Sequence, residues 1–214
     1  MENLITRVEI KSEVDTEFGM FNMIKHTFTL YGEDTDENKY NLGHAYVMEF
    51  VNNEDDSVET MCDNYTQDCI DSYLALYEQA PNLSPYAFEY IENNYFYNYL
   101  YLDRLFIEKE YRRKGYGTFL MKYIREWYNH YFTENATFFF MSGDIENNSI
   151  DRQDKEKVKK IVNKANKFYN SLAFLTPVIH TENNNCNYYI MECMDSFYKF
   201  PKKFRTIKLK TLDN

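Results

Sequence analysis

The chain has 214 residues, 44% of them hydrophobic, with 24 Lys and Arg against 34 Asp and Glu. That is enough apolar chain for one good-sized folded domain and too little for two. The net charge of -10 argues against general nucleic-acid binding, which needs a positive surface to neutralise phosphates. It leans towards a cationic partner, such as a polyamine, an aminoglycoside-like amine or a lysine-bearing protein, or towards solubility alone.

No apolar run reaches the ~18 residues of a bilayer span, and the opening "MENLITRVEI" has neither the basic nor the apolar region of a secretory leader. Cys62, Cys69, Cys186 and Cys193 lack the CxxC spacing of zinc sites. Reduced thiols in a cytoplasmic protein without a metal are the expectation. The first two would share one helix face and the last two opposite faces of a strand.

Along the chain, "NLITRVEIKSEV", "FNMIKHTFTLY" and "YNLGHAYVMEFV" read as strands, the last two joined by "GEDTDENK". One long helix or a helix pair follows, capped by Asp56 or Ser57 and running to about Gln79 through Cys62, Tyr65, Cys69, Tyr73 and Leu76. Residues 95–107 form an aromatic-rich strand, apolar on both faces and therefore central in a sheet. From Gly117 the positions Leu120, Tyr123, Ile124, Trp127, Tyr128 and Tyr131 give an amphipathic helix, with Lys122, Arg125, Glu126 and Asn129 on its other side. "ATFFFMSG" is a strand. Val158, Ile161, Val162, Ala165, Phe168, Tyr169 and Leu172 make a further helix. "CNYYIMECM" is the last strand, and residues 196–214 form a basic extension, "FYKFPKKFRTIKLKTLDN" from Phe197 onwards. The order predicts an α/β, mixed α+β fold: one central twisted mixed sheet with helices on both faces.

The stretch "EYRRKGYGTFL", residues 110–120, carries the chemistry. The first N–H groups of a helix have no partner within it, and the helix dipole adds positive charge there. Gly115 and Gly117 let a ligand approach the backbone, while Arg112, Arg113 and Lys114 add cations. This is a pyrophosphate cradle, or else a plain helix start with a solvated basic patch. It is neither the Walker loop nor the dinucleotide fingerprint.

With the preceding strand, "LFIEKEYRRKGYGTFL" resembles the acetyl-CoA-binding motif of the GNAT family of N-acetyltransferases. Leu105 and Ile107 stand at its strand positions, and Arg112, Gly115 and Gly117 in its loop. "ANKFYNSLAF", residues 165–174, is similar to the family's late helix, with Tyr169 at its tyrosine. Lys109 replaces a common proline, Ala173 a glycine and Val162 an asparagine. The resemblance covers about residues 95–195, leaving 1–94 as an atypical N-terminal half of a single domain ending near 195.

The resemblance implies a GNAT-like sheet and acetyl-CoA as co-substrate, with no metal. Its pyrophosphate would lie on the N–H groups of residues 113–118, that is Arg113, Lys114, Gly115, Tyr116, Gly117 and Thr118. Its pantetheine arm would pair with Leu105, Phe106 and Ile107, and Asn166 belongs to the same binding set. Tyr169 would return a proton to the CoA thiolate, unless it is only a core tyrosine. Asp103 is the candidate general base, sharing a strand face with Leu105 and Ile107 if the strand is regular, or it pairs with a neighbouring cation. The acceptor would be a small-molecule or protein amine, with no nucleic acid and no membrane. A homodimer is compatible with this reading. The competing expectation is a binding protein on the same fold, acting through a protein partner.

Overall fold

The computed structural model of the chain describes residues 5–14, 23–51, 57–79, 98–131, 136–142, 155–178 and 187–191. The basic extension, Cys186 and Cys193 lie outside them.

Strands β1 (Ile5–Val14), β2 (Met23–Glu33) and β3 (Lys39–Val51) form an antiparallel meander. The polar link between β2 and β3 closes around Asp34, whose carboxylate accepts from the N–H groups of Asp36 and Asn38, each at 2.9 Å, and from the Tyr40 hydroxyl at 2.8 Å. This is the turn chemistry for which Asp is suited.

Of the two arrangements the sequence allowed here, one long helix or a helix pair, the structure has the pair, α1 (Val58–Tyr65) and α2 (Gln67–Gln79). Thr66 is extended, at φ -155° and ψ 152°. Its N–H still reaches Cys62 O at 3.2 Å, and its Oγ1 accepts from the Cys69 N–H at 3.1 Å. One threonine thus ends α1 and caps α2. Cys62 and Cys69 therefore come from two helices, as buried free thiols, not from one helix face. The predicted cap at Ser57 is present, accepting from the Thr60 N–H at 3.2 Å.

Strand β4 (Asn98–Ile107), a single 3-10 turn at Lys109–Tyr111, helix α3 (Tyr116–Tyr131) and strand β5 (Ala136–Met141) follow. Helix α4 (Lys155–Asn170) and strands β6 (Leu175–Val178) and β7 (Tyr188–Met191) complete the order. The sequence reading does not contain β6. It has four residues, one of them Pro177, and a proline is tolerated on an edge strand.

The strands form one seven-stranded sheet in the order β1-β2-β3-β4-β5-β7-β6. Among the described residues its only parallel step is β4 to β5, crossed by α3. Helices cover both faces. On one, Trp127 of α3 meets Phe28 at 5.0 Å between ring centres, Tyr128 meets Phe138 at 5.6 Å, and Tyr169 of α4 meets Phe140 at 4.7 Å. On the other, Tyr65 of α1 meets Phe50 at 6.0 Å and Tyr73 of α2 meets Tyr99 at 5.7 Å. Burial of Leu120 and Ile124 contributes roughly 1.5–3 kcal/mol each. Arg125 departs from the predicted polar side of α3: it is buried, with its guanidinium over Phe174 at 5.1 Å.

A polar chain crosses four strands at the far end of the sheet. Ser12 Oγ lies 2.8 Å from His26 Nδ1, His26 Nε2 lies 2.7 Å from Glu49, and Asn98 donates to the other Glu49 oxygen. His26 and Glu49 are buried, with Trp127 packed on the imidazole at 4.8 Å.

Candidate functional site

Strand β4 changes character half-way. Asn98 to Tyr101 pair with β3 on one side and β5 on the other. Beyond Tyr101, β4 keeps only β3: its pairing with β5 ends at Tyr101 and Phe139, and Phe140 and Met141 continue with β7 alone. Among the described residues, one backbone edge of Leu102–Ile107 therefore has no neighbouring strand. Backbone groups on such an edge need partners, and an extended ligand can supply them.

Register also slips in this half. Tyr46 pairs with Arg104 and Val47 with Leu102, so Asp103 is the extra residue of a β-bulge. A bulge breaks the two-residue alternation. Leu105 and Ile107 keep the α3 face, where Ile107 approaches Gly117. Arg104 lies over the Tyr46 ring at 5.8 Å, on the face of α1 and α2. Asp103 turns the same way, hydrogen-bonded to Tyr65. The expected shared face of Asp103, Leu105 and Ile107 is thus corrected, because that expectation assumed a regular strand. Burial holds the Asp103 carboxyl above its usual range, against the opposing pull of Arg104 and Lys25.

Gly43 shapes the same end of β4 from the neighbouring strand. A Cβ there would stand 2.2 Å from Phe106 O, so only glycine admits this close approach.

The glycine turn follows directly. Arg113 has φ 59° and Gly115 φ 90°, and left-handed residues of this kind bend successive N–H groups towards one concavity. The first backbone bond of α3 runs from Phe119 N–H to Gly115 O at 2.9 Å. The N–H groups of Gly115, Tyr116, Gly117 and Thr118 therefore precede the helical ladder. The two glycines differ in purpose. A Cβ on Gly115 would meet nothing within 4 Å, whereas one on Gly117 would lie 3.3 Å from Phe168 Cζ. Gly115 faces open space; Gly117 lets α4 pack against the start of α3. Arg112 turns back on the strand, donating from Nε to Ile107 O at 2.7 Å with its guanidinium over Phe106 at 5.5 Å. Lys114 stands over Tyr111 at 5.3 Å.

Tyr169 is buried against Phe140, Phe168 at 5.0 Å and Tyr189 at 5.4 Å. Burial, then the neighbouring Tyr189, push its phenol well above the usual range. Asn166 accepts from Ser142 Oγ through its side chain, and Ser142 Oγ is 3.0 Å from Asn187 O. Asn166 thus ties α4 to the ends of β5 and β7.

Residues 42–147 match the model of the acetyltransferase (GNAT) family. The chain belongs to that family. The match runs from β3 through the bulged strand and the glycine turn to just past β5, so Asn166 and Tyr169 lie beyond it. No curated protein and no solved structure matches the chain. This GNAT chain has no cluster of metal-ligating side chains among its described residues, and no described helix is long and apolar enough to cross a membrane.

Sequence reasoning passed over Gly43 and Tyr46, set His44 aside as a strand histidine, and met Arg104 only as a cation that could pair with Asp103. The glycine within "YNLGHAYVMEFV" was the available signal for close backbone approach. Nothing in the sequence announced the bulge that pairs Arg104 with Tyr46.

Proposed function

We propose that this GNAT chain is an acetyl-CoA-dependent N-acetyltransferase acting on a primary amine. The observation that carries this reading is the one-sided half of β4, which ends at a left-handed turn with unladdered N–H groups. The turn, with Arg113 and Lys114 at its rim, suits a pyrophosphate. The one-sided stretch Leu105, Phe106 and Ile107, where Ile107 O takes the Arg112 Nε–H, suits the amide-bearing pantetheine arm, and an N–H on that edge would polarise the thioester carbonyl.

The amine nitrogen attacks the thioester carbon. Asp103 has by then taken one proton from the ammonium; the carbon–sulfur bond breaks, the CoA thiolate takes a proton from Tyr169, and the second nitrogen proton restores the phenol. Burial suits Asp103 to its role, since a carboxylate of raised basicity is a better base; it makes the Tyr169 phenol a weaker acid, so Tyr169 is assigned by its place in the family's late helix and not by its pKa. Asn166 supports the site by fixing α4.

Calorimetric titration of the purified chain with acetyl-CoA and with CoA tests the reading. Micromolar binding of both is expected. No binding of either would overturn it and leave the second reading, a scaffold that grips a protein partner.

A further inference from the structure

The bulge in β4 brings opposite charges together. In a regular strand, Asp103 and Arg104 would point to opposite faces. Here both lie on the face of α1 and α2, Asp103 bonded to Tyr65 and Arg104 over Tyr46. Beside them three rings follow one another. His44 stacks on Tyr46 at 4.8 Å and 29°, and on Phe106 at 5.1 Å and 27°. All three are half-buried.

Among the described residues, two nitrogens along this shelf are buried without a hydrogen-bond partner, Nε of Arg104 and Nε2 of His44. Buried polar atoms are normally satisfied, so an exception calls for an explanation such as a ligand. The cations also weigh against a polyamine. Lys25 lies over Tyr46 at 4.8 Å and Arg112 over Phe106 at 5.5 Å, beside Arg104. Asp68, near Asp103, and Glu108, near His44, are the acidic groups at its two ends.

Resting on the acetyltransfer reading above, we infer that the acceptor is an α-amino acid with a flat side chain, recognised through both of its charges. Its ammonium faces Asp103, which takes the proton before attack. Its carboxylate receives the Arg104 N–H, the fork suited to two oxygens. Its ring packs edge-on against the Tyr46–His44–Phe106 stack, whose ring faces are taken by one another and by Lys25, Arg104 and Arg112. An α-amino acid carries its two charges on adjacent carbons, matching two consecutive residues of one bulge. The chain's overall negative charge, which favours cationic partners, is overridden locally.

The test compares L-phenylalanine and L-tryptophan with phenethylamine and tryptamine, which differ only by the carboxylate. CoA release is followed with acetyl-CoA, and calorimetric binding of the same four compounds is measured on the full chain with and without saturating CoA. The inference expects the amino acids to exceed the amines at least tenfold in kcat/KM and in affinity. Arg104→Gln should collapse that preference to within about threefold. Equal use of acid and amine, or a preference untouched by Arg104→Gln, would overturn it. The two readings fail differently. Absence of CoA binding sinks acetyl transfer, while amino-acid binding by calorimetry alone still supports the shelf. Acetylation of other amines with no binding of either amino acid sinks the shelf alone.

Discussion

The two halves of β4 were built for different ends. Asn98 to Tyr101 are held by strands on both sides, and Asn98 closes the polar chain of Ser12, His26 and Glu49. Leu102 to Ile107 have one strand neighbour, a bulge, and a shelf whose Arg104 and His44 nitrogens lack partners. Both regions place polar atoms out of water. In the first, Ser12, His26, Glu49 and Asn98 bond to one another in sequence, and such a network rigidifies the sheet. In the second the contacts are incomplete. Incomplete contacts of this kind call for an explanation, and a bound ligand is one.

The largest effect should come from the open half. Asp103→Asn removes the proposed base, and kcat/KM should fall roughly 100-fold at neutral pH. The pH profile carries more information. A base works as its carboxylate, so activity falls as pH drops through its pKa. Burial raises that pKa, so the acidic limb should lie above the ordinary carboxylate range, and Asp103→Asn should abolish it. Stability moves the other way. A raised pKa means the folded state holds the proton more tightly than the unfolded state, so ionisation costs stability as pH rises through the folded value. Asp103→Asn should therefore raise the neutral-pH Tm while destroying activity. A lower Tm with an intact profile would make Asp103 a structural partner of Tyr65.

The closed half should respond in stability alone. Glu49→Ala strands a buried imidazole and the Asn98 amide, and breaking a buried pair in this way costs about 3 kcal/mol. Urea unfolding measures it, with acetyl-CoA affinity as the control that should stay level. A loss below ~1 kcal/mol would mean that the chain of four residues does not hold the sheet.

What the sequence made legible follows from periodicity. Six strands, α3 and α4 declared themselves because one face of each is apolar at a fixed repeat. The glycine turn was legible too, since few other tasks require cations, glycines and a helix start together. The failures share a cause. Thr66 divides a helix whose apolar spacing runs straight through it, because capping depends on one hydroxyl reaching one N–H. The β4 bulge depends on the partner strand's register, which no local pattern encodes. That single slip turned Asp103 away from Leu105 and placed Arg104 beside it. The acceptor shelf was therefore invisible until β3 and β4 were paired.

The smallest effect separates the two glycines, which the sequence treats as one motif. Gly115→Ala puts a side chain on a residue at φ 90° and into the open cradle. The backbone strain is about 1 kcal/mol, and CoA affinity should weaken about tenfold. Gly117→Ala gains helix propensity of about 1 kcal/mol, offset by Phe168 giving way at 3.3 Å. Its stability should change by less than ~0.5 kcal/mol, and its affinity loss should be the smaller of the two. Calorimetry on both variants decides the assignment. A larger affinity loss at Gly117 would mean that the ligand passes between α3 and Phe168, and that the contact now closing that gap opens when CoA binds.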